Sequence, residues 1–524
     1  MSNLITRNNL TRLFIFPWHT LLLALYVPVN LGAYNIGQIP VSAIYRSVIL
    51  SGICALILLW AFHAILRDWQ TAGLAATLIV SLFLTYGHVY AYARNFEIDG
   101  FLIGRHRYLA ALWGVFAVAG LGWVTRKSQK HTTLTSTLNL VGLFLLVMPV
   151  AQLIWYHVRA ARYQDPNIVE AVPQPYNRVE KPSGGQLHDV YYIILDAYGR
   201  SDVLLDALGY DNSAFLGKLD DMGFYVASCA QSNYSITVLS LSSTLNMDYL
   251  TALDPSLTPD NTDRLPMSNL TKNNAVTKTF QGLGYTTMAF ETGFDFTELN
   301  NIDVFYRAER QGFNEFETLY LRTTFAVLMD DAGIFARFQI APEDRKRELV
   351  LFNLEKLREI ASIPGPKFVF VHLVIPHPPF VFGPHGERLI FPERIKKGNN
   401  TSYSIQDYVA GYRNQAIFIG DQIAGVAESI LQNSSVSPII IIQGDHGPGH
   451  FGQAERMGIL NAYFFPGSHA GLYPTLTPVN TFRLLFNTYF QGDFELLEDV
   501  SYFSERSHIY RYEIVPNQCQ VDFQ

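Results

Sequence analysis

The sequence predicts two parts, an N-terminal α-helical membrane domain and a C-terminal α/β domain with a mainly parallel central sheet. Only 16% of the 524 residues are charged, against about 25% in soluble proteins. Long charge-free stretches fill the first 159 residues, and short apolar runs alternate with amphipathic stretches after residue 188. The hydrophobic share of 49% excludes a disordered chain. A net charge of −7 argues against a nucleic-acid partner.

The N-terminal part contains five charge-free stretches, each reaching or approaching the ~20 apolar residues that a helix needs to cross a bilayer. A buried core helix or a signal peptide would account for one such stretch but not for five in succession. We therefore predict a transmembrane domain over residues 1–159 with about five spans. The spans are expected at about 14–34, 46–66, 71–92, 107–125 and 136–157.

Basic residues favour a cytoplasmic N-terminus, because this orientation places six Lys or Arg residues inside and four outside. The six are Arg7, Arg12, Arg67, Arg126, Lys127 and Lys130, and the four are Arg46, Arg94, Arg105 and Arg107. An odd number of spans then places the chain after residue 160 outside the cytoplasm.

Residues 160–188 are polar and rich in Pro and Gly, which predicts a linker, and residues 189–524 form the expected second domain. Because Cys54 lies in a predicted span, Cys229 and Cys519 are the only cysteine pair in the rest of the chain. In an oxidising compartment they could form one disulfide that closes a very long loop. Two unrelated buried thiols would explain them equally well.

The sequence of the second domain predicts strands that alternate with helices. This alternation indicates a parallel or mixed sheet with helices on both faces. The expected strands are 190–196, 224–230, 285–291, 367–375 and 437–445, and the expected helices are 201–222, 273–283, 343–362, 404–432 and 478–490. Ligands bind at the carboxyl ends of the strands in such sheets. The residues that end each strand are therefore the candidates for a functional site.

Carboxylates and imidazoles occur at three of these strand ends. Asp196 ends the first expected strand, Asp445 and His446 end the last, and His372 and His377 lie within and just after the strand between them. Separately, each has an ordinary explanation as a helix cap, a tight turn or a loop histidine. Together, carboxylate oxygens and neutral imidazoles suit a divalent ion.

A hydroxyl-rich segment, SNYSITVLSLSSTLNMDYL over 232–250, follows an expected strand and leads into a helix. Hydroxyls at a helix N-terminus lie beside free backbone N–H groups, which is a favourable position for a phosphate or sulfate. A simple Ser/Thr helix cap is the other interpretation of the segment.

Four segments in this order resemble the alkaline phosphatase/sulfatase superfamily: LDAYGRSD, NYSITVLSLSSTLN, HLVIPHPPF and GDHGPGH. More narrowly, the chain is similar to the membrane-embedded branch that contains lipoteichoic acid synthases and phosphoethanolamine or phosphoglycerol transferases. That branch carries membrane spans before an extracytoplasmic catalytic domain. The resemblance implies an alkaline-phosphatase-like fold for residues 189–524.

The resemblance also implies roles for individual residues. Asp196 matches the acidic metal ligand at the end of the first strand. Thr237 matches the nucleophilic threonine, which is also a metal ligand, and Asp445 and His446 match the metal-binding Asp-His pair. His377 matches the histidine that contacts the substrate phosphoryl group.

Three further residues are candidate substrate contacts. His372 lies one strand step inside the phosphoryl-contacting histidine, and His450 is the nearest counterpart of a further histidine of the family. Arg200 could make a charge-assisted contact or form a structural salt bridge. The cysteine pair around the nucleophile of the phosphoethanolamine enzymes is absent here. Sulfate-ester cleavage is disfavoured, because the segment 235–243 has no Cys or Ser in the C/S-x-P-x-R motif that formylglycine formation needs.

The implied activity is metal-dependent transfer of phosphoglycerol or phosphoethanolamine from a membrane phospholipid to an extracytoplasmic glycan or lipid, through a phosphothreonine intermediate. One divalent ion is implied: zinc or manganese, or else magnesium. The implied location is a bacterial cell membrane. Two alternatives stay open, a membrane-anchored phosphodiesterase or phosphatase that uses water, and a non-catalytic membrane scaffold.

Overall fold

A computed structural model describes residues 15–94, 96–98, 101–102, 104–126, 131–162, 178–181, 187–299, 301–309, 312–337, 342–389, 396–397, 400–401, 403–467 and 469–519. The chain divides into two compact units. The first, called the membrane unit below, consists of Met1–Arg159, Arg310–Arg345 and Glu393–Ser402. The second, called the α/β unit, consists of Ala160–Glu309, Lys346–Pro392 and Tyr403–Gln524.

Apolar helices form the N-terminal part of the membrane unit. In the described residues they are His19–Tyr34, Ser42–Leu66, Trp69–Ala93, His106–Arg126 and Thr132–Arg162. Four of them are long and apolar enough to cross a membrane, whereas the first has 16 residues. The predicted multi-span domain is confirmed, with four helices meeting the length where we expected about five spans. Asp68 starts the third helix, because its carboxylate accepts a hydrogen bond from Thr71 N at 2.8 Å.

Three short helices from later in the chain also belong to the membrane unit: Glu315–Thr323, Val327–Asp331 and Ile334–Arg337. We expected residues 310–345 in the C-terminal domain, and the structure groups them with the membrane helices instead. Phe316 and Tyr320 are buried in one apolar cluster with Ile44 and Leu84. The sequence carries no signal for this placement, because an amphipathic helix packs equally well on a sheet or on other helices.

Polar contacts join this insertion to the ends of the membrane helices. Arg46 forms a bidentate ion pair with Glu317. Asp331 accepts hydrogen bonds from Tyr90 Oη and His106 Nε2, both at 2.9 Å. Arg46, Tyr90 and His106 therefore lie on one side of the membrane helices. This arrangement is expected when the second and third helices each cross the membrane once.

The α/β unit contains a seven-stranded sheet among its described residues. Its strands are β1 (Val190–Leu195), β2 (Tyr225–Val226), β3 (Thr286–Phe290), β4 (Val304–Tyr306), β5 (Lys367–Leu373), β6 (Ile439–Gly444) and β7 (Asn461–Phe464). Their order is β2-β7-β6-β1-β5-β3-β4. All pairs from β6 to β4 are parallel, and β7 is antiparallel to both neighbours. The predicted mainly parallel sheet is confirmed.

Two apolar cores cover the two faces of the sheet, and the side chains of β1 alternate between them. The helices that accompany the sheet are Ser201–Leu208, Ser213–Asp221, Thr237–Asn246, Leu250–Leu253, Leu265–Lys272, Ala275–Gly282, Pro342–Ile360, Ile405–Asn433, Gln453–Met457 and Pro478–Tyr489. The expected helix 201–222 is two helices, because Gly209 adopts a left-handed φ of 58° and ends the first. Strands β4 and β7 were not predicted, since runs of three or four residues carry little periodicity.

The remaining described elements are a 3-10 helix at Asp295–Thr297 and three short pairs of strands: Glu97–Ile98 with Phe101–Leu102, Lys396–Lys397 with Asn400–Thr401, and Tyr502–Glu505 with His508–Ile514. Cys229 and Cys519, left open between a disulfide and two free thiols, form a disulfide across a separation of 290 residues. Most of the expected linker 160–188 lies outside the described residues.

Candidate active site

The register of the three central strands brings their carboxyl ends to the same level. Leu195, the last residue of β1, pairs with Gly444 in β6 on one side and with Leu373 in β5 on the other. The residues that follow β1 and β6 are Asp196 and Asp445, which are 5% and 1% exposed. Two buried carboxylates therefore meet at the edge where parallel sheets bind ligands.

His372 joins these carboxylates from β5, with its Nε2 3.4 Å from Asp196 Oδ2. Asp196, His372 and Asp445 each offer a ligand atom within 4.8 Å of the others. Asp445 Oδ1 accepts a hydrogen bond from Ala197 N at 2.9 Å. Asp445 Oδ2, Asp196 Oδ1 and both His372 nitrogens have no hydrogen-bond partner among the described residues. Because buried polar atoms normally have a partner, this cluster fits a bound cation.

His446 adds a second imidazole to the cluster. Its Nδ1 lies 2.9 Å from the carbonyl oxygen of Gly447, so Nδ1 carries the hydrogen and Nε2 presents its lone pair. Nε2 is 3.4 Å from Asp445 Oδ2 and 3.7 Å from Asp196 Oδ1. It is also 3.3 Å from Thr237 Oγ1. Two carboxylates and two imidazoles are a donor set that suits zinc or manganese.

Burial and mutual charge perturb the titratable groups of the site. Burial, with the negative charge of Asp196, raises the pKa of Asp445 to about 7. Burial also acts to raise the pKa of Asp196, but the neighbouring histidines, His377 foremost, hold that pKa below its usual range. Burial and the charge of Arg456 lower the pKa of His446, which keeps its imidazole neutral. A bound cation would therefore displace the proton that Asp445 retains.

Thr237 is the first residue of the helix Thr237–Asn246, and the extended backbone of Ile236 leads into it. The first amide groups of a helix have no acceptor within the helix and lie at its positive end. The Thr237 hydroxyl therefore has N–H donors close beside it. Other hydroxyls of this helix have structural roles, since Ser242 and Thr244 donate to carbonyl oxygens one turn earlier.

His377 follows β5 and is held through its backbone, because its N–H donates to the carbonyl oxygen of Asp196 at 3.1 Å. Its Nδ1 lies 2.6 Å from the carbonyl oxygen of Pro378, and its ring centroid is 6.4 Å from that of His446. Burial lowers the pKa of His377. Nε2 is then the ring atom that can exchange a proton with a ligand.

Arg200 and His450 have other contacts in the structure. Arg200 donates to both carboxylate oxygens of Asp202, at 2.7 and 2.8 Å, and to the carbonyl oxygen of Ala230 at 3.0 Å. His450 is exposed, has a left-handed φ of 68°, and packs on Tyr408 with ring centroids 4.5 Å apart. Substrate contact by either residue stays a prediction.

Lys346 lies at the site but was not predicted. Its Nζ donates to the carbonyl oxygen of His377, and to that of Pro379 at 2.9 Å. Burial lowers the pKa of Lys346 to about 7, against the opposing effect of Asp196. No sequence signal marks this lysine, which sits in the charged run PEDRKRE. Only the folded chain shows that it fixes the loop carrying His377.

Arg456 is a second cation that the sequence patterns did not reveal. Its Nε donates to the carbonyl oxygen of Ser235 at 2.9 Å, and its Nη1 to that of Gly447 at 3.2 Å. These contacts join the segment before Thr237 to the segment that carries His446. Arg456 lies in a short helix with no recognisable motif, so its position follows from the fold alone.

No family model matches the sequence, and no curated protein matches it either. Among solved structures, the chain is similar to the zinc-bound C-terminal periplasmic domain of EptC from Escherichia coli, with 13% identity and a TM-score of 0.44 over 64% of this chain and 94% of that chain. It is also similar to the C-terminal periplasmic domain of the phosphoethanolamine transferase EptC from Campylobacter jejuni (11% identity, TM-score 0.38, 60% of this chain and 92% of that chain). A third similar structure is the lipoteichoic acid synthase LtaP from Listeria monocytogenes (13% identity, TM-score 0.37, 63% of this chain and 82% of that chain). With identities below 25% and TM-scores below 0.5, none of these carries a function over to this chain.

Proposed function

We propose that this chain is an enzyme that transfers phosphoglycerol or phosphoethanolamine from a membrane phospholipid to an extracytoplasmic glycan or lipid. The observation that supports the proposal most is the buried group of Asp196, His372, Asp445 and His446 beside the Thr237 hydroxyl. Buried carboxylates and imidazoles without partners cost free energy. A ligand-binding role explains why such a group lies at the edge of the sheet.

The proposed ligands of one divalent ion are Asp196, Thr237, Asp445 and His446, with His372 as a further imidazole within reach. Zinc or manganese matches these donors best, and magnesium is the harder alternative. When bound, such an ion lowers the pKa of a neighbouring hydroxyl and offsets the negative charge on phosphoryl oxygens.

The proposed nucleophile is Thr237 Oγ, which attacks the phosphorus of the lipid phosphodiester. The bond between phosphorus and the diacylglycerol oxygen breaks, the threonine proton is lost, and diacylglycerol gains a proton at its new hydroxyl. In the second step an acceptor hydroxyl attacks the phosphothreonine and loses its proton, and Thr237 regains one. Each step exchanges one P–O bond for another, so no further reactant is needed.

The other residues of the site bind and orient. His377 is proposed to exchange a proton with the leaving or entering oxygen through Nε2. The first-turn amides of the Thr237 helix are proposed to donate to the phosphoryl oxygens. Lys346 and Arg456 hold the backbone on which His377 and His446 are placed.

Two features support an extracytoplasmic reaction on a lipid. The membrane unit keeps the enzyme at the bilayer, which raises the effective concentration of lipid headgroups. The disulfide between Cys229 and Cys519 is typical of an oxidising compartment, as expected outside the cytoplasm.

Headgroup release from fluorescent phosphatidylglycerol and phosphatidylethanolamine, by full-length protein with Zn²⁺ or Mn²⁺, tests the proposal. Thr237→Ala is expected to lower the rate by about 10³-fold or more, because it removes the nucleophile. Thr237→Ser keeps a hydroxyl and should retain measurable activity. Ser240→Ala, one turn along the same helix, is the matched control and should act like wild type. Release that survives both Thr237→Ala and a chelator would refute the proposal.

Mass spectrometry of a trapped peptide spanning residues 233–248 should place the phosphoryl adduct on Thr237. An adduct on Ser240, which is 2% exposed and 3.1 Å from Ser232 Oγ, would show that the nucleophile is misassigned. Product analysis with and without a glycan acceptor separates transfer from hydrolysis. A headgroup found on the acceptor supports a transferase, and only free headgroup ester would make the protein a phosphodiesterase.

A further inference from the structure

The membrane unit contains a cavity of about 420 Å³, between the helices Ser42–Leu66, Trp69–Ala93 and Glu315–Thr323. Its walls are mostly aliphatic and aromatic, and its volume is in the range of small-molecule sites. Two wall residues, Leu50 and Phe83, are 53% and 41% exposed. The cavity therefore opens at the outer surface of the two membrane helices, where the surrounding medium is hydrocarbon.

One part of the wall is polar, because Arg46 and Glu317 form an ion pair there. The Glu317 side chain is 5% exposed, and its carboxylate also completes a capping box with Asn314. The Arg46 side chain is 54% exposed. Its Nε and Nη2 contact Glu317, and Nη2 also donates to the carbonyl oxygen of Gly312 at 2.7 Å. Arg46 Nη1 has no partner among the described residues, so its two N–H bonds are available to a ligand.

We propose that this cavity binds one phospholipid from the surrounding membrane, with an acyl chain between the helices and the phosphate at Arg46. The apolar walls alone would accept any hydrocarbon. A half-exposed guanidinium beside them favours a hydrocarbon chain that carries an anionic phosphate, which it can bind through charge-assisted hydrogen bonds.

The site lies wholly within the membrane unit and needs no turnover, so it goes beyond the proposed function and can be tested without it. Arg46 lies near the start of its helix, on the same side of the membrane helices as the insertion 310–345. The bound lipid therefore belongs to the leaflet on that side.

Native mass spectrometry of the detergent-extracted full-length protein tests the proposal by counting bound lipids. Wild type is expected to retain one phospholipid. Cys54→Trp puts a large ring in the cavity wall and should lower the lipid-bound fraction by about fivefold or more. Ile57→Trp, at a 64% exposed position of the same helix outside the cavity, is the matched control and should retain the lipid. Equal retention by both variants, or retention of only fatty acid or detergent, overturns the proposal.

Labelling of Cys54, the free cysteine of the chain, gives a second measurement. This measurement does not depend on whether the tryptophan variants fold. Phosphatidylglycerol added to delipidated protein in detergent should slow maleimide labelling of Cys54, and diacylglycerol should slow it less. Arg46→Lys should keep this preference and Arg46→Gln should lose it. Ile57→Cys combined with Cys54→Ser is the control, whose labelling should not respond to lipid. Labelling of Cys54 that phosphatidylglycerol leaves unchanged overturns the proposal.

Discussion

Replacing Asp445 with asparagine tests the electrostatics of the site through stability alone. In the metal-free protein, burial and Asp196 raise the pKa of Asp445 from 3.8 to about 7. The stability contributed by such a group is fully present below pH 3.8 and is lost as the pH rises to 7, because the folded state then binds more protons than the unfolded state. At about 1.4 kcal/mol per pH unit, the total loss is about 4 kcal/mol, of which about 3 kcal/mol falls between pH 5 and pH 8.

The asparagine side chain carries no titrating proton and can still accept the hydrogen bond from Ala197 N. In chelator, the stability of Asp445→Asn relative to wild type should therefore increase by about 3 kcal/mol between pH 5 and pH 8. The α/β unit has about 320 residues, so its entropy of unfolding is about 0.7 kcal/mol/K. The difference in Tm should accordingly change by about 4 °C.

Zinc should affect the two proteins differently. A ligand at a concentration of about 100 times its Kd raises the free energy of unfolding by about 2.7 kcal/mol. Zinc should therefore raise the Tm of wild type by about 4 °C and leave the Tm of Asp445→Asn unchanged. Differential scanning fluorimetry at both pH values, with EDTA or Zn²⁺, measures both effects. Asp202→Asn, which removes the carboxylate paired with Arg200, is the control and should keep the zinc shift. A full zinc shift in Asp445→Asn, or a pH-independent difference in EDTA, would refute the reasoning.

Other contacts predict further measurable effects. Cys519→Ser opens a disulfide that spans 290 residues and should cost about 2–4 kcal/mol, seen as a lower Tm that wild type reproduces in reductant. Burial lowers the pKa of Lys346 from 10.5 to about 7, so the unfolded state binds more protons between these values and stability rises with pH there. Lys346→Met should flatten the Tm profile over that range, and an unchanged slope would contradict the assignment. A side chain at Gly87 would overlap the backbone of Thr323, so Gly87→Leu should cost about 1–3 kcal/mol and speed tryptic cleavage within residues 310–345. Gly114→Leu, with open space around it, should do neither.

The parts of the fold that the sequence predicts well are those with a long, uniform pattern. The apolar helices of the N-terminal part and the buried strands β1, β5 and β6 are continuous apolar runs. The structure has these three strands, and four of its helices have the length of the roughly five spans that we expected. Asp196, His372 and Asp445 could be predicted to converge, because parallel strands bring their carboxyl ends to one edge.

Features that depend on contacts between distant segments were missed. Lys346 and Arg456 donate hydrogen bonds to backbone carbonyl oxygens of loops. Because every residue type has a backbone carbonyl, the sequence gives no sign of these contacts. Residues 310–345 look like any amphipathic stretch, and only their packing on the membrane helices reveals where they belong. The pairing of Cys229 with Cys519 was one of two interpretations until the fold brought their Cα atoms to 5.5 Å.

The insertion has a practical consequence for producing a water-soluble fragment. A fragment that starts after the last membrane helix would still carry residues 310–345 without the helices that cover them. Phe316 and Tyr320, now 1% and 7% exposed, would face water, and Glu317 would lose its guanidinium partner. Such a surface favours aggregation. Truncation for expression should therefore remove residues 310–345 together with the N-terminal helices.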